Sequence, residues 1–112
     1  MKRDAHYLAH IIDAIEFILD TTSKAAKADF LEDRLMRDAV IRNLEVVGEA
    51  VKHLSLSLRS KHKDIEWKRI AGMRDVLIHE YFGVDHEKVW NVVVRRLPKL
   101  LKRLKAIVHE GF

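Results

Sequence analysis

Apolar residues recur at three- and four-residue spacing along almost the whole chain, and only one proline and four glycines interrupt the pattern. No stretch alternates β-branched with polar side chains, so a sheet has no support and the chain must bury helical stripes against one another. The first stripe runs from about Asp4 to Asp20 through Leu8, Ile11, Ile12, Ile15 and Leu19. After the polar break Thr21-Thr22-Ser23, a long helix is predicted from about Asp29 to Leu58, opened by Asp29 with Glu32 as a variant capping box. Its residues Val40, Leu44, Val47, Val51, Leu54 and Leu58 keep a 4-3-4-3-4 spacing. A smaller face of Ala39, Val46 and Ala50 lies beside them, so this helix should touch partners on two sides, with dimerisation the natural candidate. Glycine in mid-helix costs about 1 kcal/mol against alanine. Gly48 therefore makes sense if another backbone comes close there.

A third helix is predicted to start near Asp64, an N-cap before Ile65-Glu66-Trp67, and to end at Gly83 in a left-handed conformation. A fourth follows Asp85 and runs to about Val108, with Val89, Val93, Leu97, Leu100 and Leu104 inward and Pro98 bending or splitting it. Short connections between these segments imply antiparallel neighbours in an up-and-down bundle. At 112 residues the chain is expected to form one domain over 1–112. The longest apolar stretch, Val89 to Val94, is broken by Asn91 and is too short for a bilayer of roughly 30 Å, so no membrane span is expected. The N-terminus lacks a secretory pattern, which implies a cytoplasmic protein. With no cysteine, disulfides, thiolate metal sites and cysteine nucleophiles are excluded.

The net charge of +4 is unevenly distributed. Residues 1–60 carry 9 Lys/Arg against 10 Asp/Glu, whereas residues 61–112 carry 12 against 7. A basic second half suits a polyanion such as RNA, although a solvated basic face gives the same count. Six basic residues lie between Arg95 and Lys105, interleaved with core leucines.

The chemistry concentrates in Arg74-Asp75-Val76-Leu77-Ile78-His79-Glu80-Tyr81. On a helix Asp75 and His79 share a face, as do Arg74 and Tyr81, while Arg74 and His79 diverge by about 140°. A two-fold dimer resolves that divergence by bringing one protomer's Arg74 to the other's His79. Histidine exchanges protons near neutrality, so His79 can deprotonate a ribose 2′-hydroxyl or protonate the leaving oxygen. Arg74 can hold the phosphate as charge develops, Asp75 can orient the imidazole, and Tyr81 can hydrogen-bond or stack on the substrate. Ordinary ion pairs explain most such sets on helices, and the spacing alone is a short motif. His6, His10 and Asp13 share a face of the first helix at spacing open to metal ligation, but exposed helix faces commonly carry such sets.

Arg74-x4-His79-x-Tyr81 resembles the signature of HEPN-domain ribonucleases, specifically HepT-like toxins of toxin-antitoxin pairs. The similarity extends to His10-Ile11, Asp38-Ala39-Val40-Ile41-Arg42-Asn43-Leu44, Gly48-Glu49-Ala50, Trp67, Gly72-Met73-Arg74 and Ile78-His79-Glu80-Tyr81-Phe82. The resemblance implies an all-α, four-to-five-helix HEPN-type bundle, a homodimer with apposed motifs, and metal-independent RNA cleavage that needs no cofactor. It maps Arg74 and His79 onto the catalytic pair, with Asp75 and Tyr81 supporting. It further implies a minimal nucleotidyltransferase antitoxin that silences the toxin by transferring AMP to Tyr81. The alternative is a non-catalytic nucleotide- or partner-binding subunit of a nucleotidyltransferase complex.

Overall fold

The computed structural model describes residues 2–80 and 82–112. Helix α1 spans Lys2–Thr22 and ends where the Thr22 hydroxyl turns back to donate to the Ile18 carbonyl at 2.9 Å. The single helix predicted over 29–58 is instead three: α2 (Lys27–Glu32), α3 (Arg34–Lys52) and α4 (Leu56–Lys61). Polar side chains break it. Asp33 takes an extended backbone and its carboxylate accepts from the Met36 N–H at 3.1 Å, which starts α3 afresh. Ser55 does the same for α4, its Oγ accepting from the Leu58 N–H at 3.1 Å. Asp29 caps differently from expectation: it is the third residue of α2, and its carboxylate accepts from the Ala26 N–H at 2.8 Å, with Glu32 uninvolved.

Helix α5 covers Trp67–His79, three residues later and four shorter at its end than the predicted 64–83. Asp64 does not cap it, because the Arg103 guanidinium grips that carboxylate through Nε at 2.6 Å and Nη2 at 3.2 Å. Gly83 is not left-handed either; among the described residues the only glycine at positive φ is Gly111, at 78°. Asp85 does act as an N-cap, accepting from the N–H groups of Glu87 and Lys88. The fourth predicted segment becomes α6 (His86–Asn91), a π-helical turn (Val92–Arg96) and α7 (Leu97–Glu110). Proline has no N–H to give the preceding turn, and the wider turn places the Leu97 N–H on the Val92 carbonyl just before Pro98.

These helices form the all-α architecture expected, with no strand among the described residues. Helix α3 lies between α1 and α5, α7 covers the other side of α1, and α2 rests on α3 and α6. Leu8, Ile11, Ile15, Ile18, Leu44, Val47, Leu104 and Ile107 are fully buried at the centre. Trp67 and Trp90 are packing residues: Trp67 donates to the His62 carbonyl at 3.0 Å, and the Trp90 ring lies 5.2 Å from Phe30. Among the described residues no helix is long and apolar enough to cross a membrane.

One contact sets how closely α5 can approach α3. A Cβ on Gly48 would lie 2.3 Å from the Arg74 Cβ and 3.2 Å from the Ile70 carbonyl oxygen, so the missing side chain is what admits α5. The backbone approach expected from the sequence is present. Replacing Gly48 by valine should therefore push the helices apart and lower unfolding stability by about 2–3 kcal/mol, within the usual range for overpacking. Denaturant unfolding of purified protein measures this, and an unchanged midpoint would show that α5 is free to move off α3.

Candidate active site

The close approach at Gly48 delivers Arg74 to the last turns of α3. Arg74 Nε lies 3.2 Å from Glu49 Oε2, and Nη1 donates to Asp75 Oδ1 at 3.2 Å. Lys52 Nζ donates to the same Asp75 oxygen at 2.8 Å. Glu49 continues the chain of charges through its other oxygen, 3.4 Å from His53 Nε2. A guanidinium has five N–H donors, so two carboxylates do not saturate Arg74, and 30% of its side chain remains open to solvent. The arginine is anchored and still able to receive an anion.

His79 is the last residue of α5 and is exposed; among the described residues it makes no hydrogen bond or ion pair. Asp75, which the sequence offered as the orienter of that imidazole, is engaged by Lys52 and Arg74. The chain thus brings Arg74 and Asp75 together, while His79, about 140° from Arg74 round the helix, pairs with neither, although it shares a face with Asp75. Tyr81 lies outside the described residues. On the opposite side of α5, a groove of 1360 Å³ opens towards α6 and α7, lined among others by Ile70, Met73, Val76, Lys88, Val92 and Arg96. Of the basic run on α7, Arg103 is bound to Asp64 and Lys105 to Glu16, while Arg95, Arg96, Lys99 and Lys102 are exposed.

Sequence reading missed the roles of Glu49, Lys52 and His53. The signal was their spacing: with Gly48 they occupy one turn and its successor on α3, so any helix admitted by the glycine must meet them. Tyr7 and Arg3 of α1 reach the same place, the Tyr7 ring stacking on His53 at 4.8 Å and 13°. His62 is buried and pairs through Nδ1 with Arg103 Nη2 at 3.1 Å. His6 and His10 meet edge to face at 4.5 Å, and among the described residues no three His, Asp or Glu side chains converge on a metal position.

The family model described as Ribonuclease HepT-like matches residues 11–107, a span that contains every residue of this cluster from Glu49 to His79. The chain is 42% identical over 110 residues to a protein of Caldanaerobacter subterraneus subsp. tengcongensis named as a candidate RNase, with 98% of each chain covered. It is 44% identical over 101 residues to one of Thermococcus cleftensis named as a candidate ribonuclease HepT, covering 89% of this chain and 92% of that one. A Methanocaldococcus jannaschii protein named as a gamma-glutamylcyclotransferase and candidate RNase is 42% identical over 111 residues, covering 98% of this chain and 50% of its own. No solved structure matches the chain.

The Lys52 ammonium, and after it the Arg74 guanidinium, hold the Asp75 carboxyl below the usual carboxylate range. A carboxyl whose folded pKa is depressed contributes stability above its unfolded pKa of about 3.9, and that contribution is lost as pH falls through the folded value. Asp75 is half-exposed, so solvent and salt screen the effect and it should be small. Asp75→Asn should accordingly be slightly less stable than wild type at neutral pH, with the difference closing in acid once the carboxyl is protonated in both states. Denaturant midpoints at neutral pH and along an acid titration test this; a difference that persists in acid would assign the loss to packing.

Proposed function

The chain belongs to the HepT-like ribonuclease family, and from that premise we propose that it is a toxin-type endoribonuclease cutting RNA with Arg74 and His79, without a metal. The observation that carries this reading is the anchored but unsaturated Arg74 on a helix that ends in an exposed histidine. His79 takes the proton of a ribose 2′-hydroxyl, and the oxygen so freed attacks the adjacent phosphorus. The 5′-oxygen leaves and receives a proton from an imidazolium, so the strand ends in a cyclic phosphate and a 5′-hydroxyl with no net proton change. Arg74 donates to the phosphate oxygens as negative charge grows on them.

A single chain points these two groups apart, so the working unit is a homodimer in which one copy's Arg74 meets the other's His79. Ile78, one turn after Arg74 on the same side of α5 and 39% exposed, is the apolar surface for that contact. The regulatory partner is a minimal nucleotidyltransferase antitoxin acting in the cytoplasm. The Tyr81 hydroxyl oxygen attacks the α-phosphorus of ATP, pyrophosphate leaves, and the phenol proton passes to solvent. The added phosphate charge and bulk then keep RNA out.

Wild type incubated with total RNA in EDTA should cleave it, and Arg74→Ala or His79→Ala should each lower the rate by about 100-fold or more. Equal cleavage by all three would sink the assignment of that pair. An intact substrate with wild-type protein whose Tyr81 is unmodified would instead favour the non-catalytic binding subunit. Incubation with the cognate nucleotidyltransferase and ATP should add the mass of one AMP to wild type and none to Tyr81→Phe, read by mass spectrometry; addition to both would place the modification elsewhere.

A further inference from the structure

Beside the Arg74 cluster lies a group of rings and cations that the cleavage chemistry does not use. The Tyr7 and His53 rings are stacked nearly parallel, 4.8 Å between centroids. The Arg3 guanidinium lies 6.0 Å over the Tyr7 ring, with Nη2 3.4 Å from His53 Nδ1, and the His6 ring meets Tyr7 edge-on at 5.2 Å. His53 closes α3 with 39% of its side chain exposed, so the core does not require its ring. One carboxylate, Glu49, separates this stack from the guanidinium of Arg74.

We propose that the Tyr7–His53 stack, flanked by Arg3, is a subsite that stacks a base of the RNA strand next to the phosphate held by Arg74. It rests on the ribonuclease reading of Arg74 and extends it to how the strand is held. Aromatic faces beside cations are how single strands are gripped regardless of sequence, because every base has a π-face and every linkage a charge. The charge balance supports this. The carboxylates of Asp4, next to Arg3, and of Glu49, one turn before His53, are occupied internally: Asp4 is buried and accepts from the Ser55 N–H and hydroxyl, and Glu49 faces Arg74 and His53. Arg3 has no carboxylate partner among the described residues, so it is available to a phosphate. The side chains here are polar or aromatic and match a stacked base and its phosphate better than the aliphatic anchor of a peptide.

The test is equilibrium binding, by fluorescence anisotropy, of an uncleavable 2′-O-methyl octanucleotide and of its abasic sugar–phosphate counterpart. Wild type should prefer the base-bearing strand. His53→Gln, which keeps a polar group towards Glu49 but loses the ring, should reduce that preference by about tenfold, in the range of one lost stacking contact. Tyr7→Leu should do the same if circular dichroism shows it folded, and His53→Phe should restore the preference. An unchanged preference in His53→Gln would overturn the proposal and leave these residues to a protein partner. Equal weakening of both strands would overturn it as well, by showing a charge or packing effect. Because neither strand can be cut, the outcome is independent of cleavage: wild type that fails to cut ordinary RNA removes the ribonuclease reading without touching the base–ring measurement.

Discussion

The site depends on a side chain that is not there. Gly48 lets the Arg74 Cβ sit where its own Cβ would be, 2.3 Å away, and no other residue type permits that spacing between α3 and α5. Once the helices are this close, the next positions along α3 are committed. Glu49 and Lys52 flank the contact and meet Arg74 and Asp75, and His53 follows one turn after Glu49. The helix-propensity cost of a glycine is thereby offset by contacts that an alanine would prevent. Packing and site geometry are one constraint here, since moving α5 outwards would disengage Arg74 from Glu49.

That constraint explains which parts of the molecule were legible in the sequence. Buried stripes were readable because burial acts on every third or fourth residue: Leu8, Ile11 and Ile15, or Val40, Leu44, Val47 and Val51, are in the core as their spacing predicts. Gly48 was readable because a mid-helix glycine needs a reason. Helix boundaries were harder, because the groups that set them act at long range. Ser55 begins α4 while held by Asp4, fifty-one residues earlier, and Asp64 is withdrawn from capping α5 by Arg103, thirty-nine residues later. No local window contains either pair. Leu54 and Leu58 kept the phase of the preceding helix although a turn at 53–55 separates them from it, so the apolar pattern concealed the break.

The candidate site was legible in its members more than in their pairing. The one-helix geometry of Arg74 and His79 follows from residues per turn, and the structure keeps them apart as that geometry demands. What could not be read was the competition for Asp75. On α5 alone its neighbour at four residues is His79, but the packing supplies the Lys52 ammonium at 2.8 Å in place of that imidazole. The same packing turns Glu49 and His53 from unremarkable positions of α3 into the link between Arg74 and the rings of α1.

Two carboxylates beside an arginine proposed to bind a phosphate look self-defeating, since they would compete with the substrate for the same donors. Their exposure resolves the conflict. Glu49 and Asp75 have 47% and 48% of their side chains open to solvent, so their attraction for Arg74 is screened and worth little compared with a buried pair. They limit the rotamers of a long side chain, which lowers the entropy lost on binding, while holding it too weakly to prevent an arriving phosphate from taking its place. Asp75 would keep Lys52 if Arg74 turned to a phosphate, so that carboxylate would not be left without a cation. Burial of the same cluster would reverse the balance, because removing one partner from a buried pair leaves an uncompensated charge that costs several kcal/mol, about 3–5. An anion-binding arginine held by carboxylates is therefore workable at this depth, half-exposed on the flank of α5, and would not be in the core between α1 and α3.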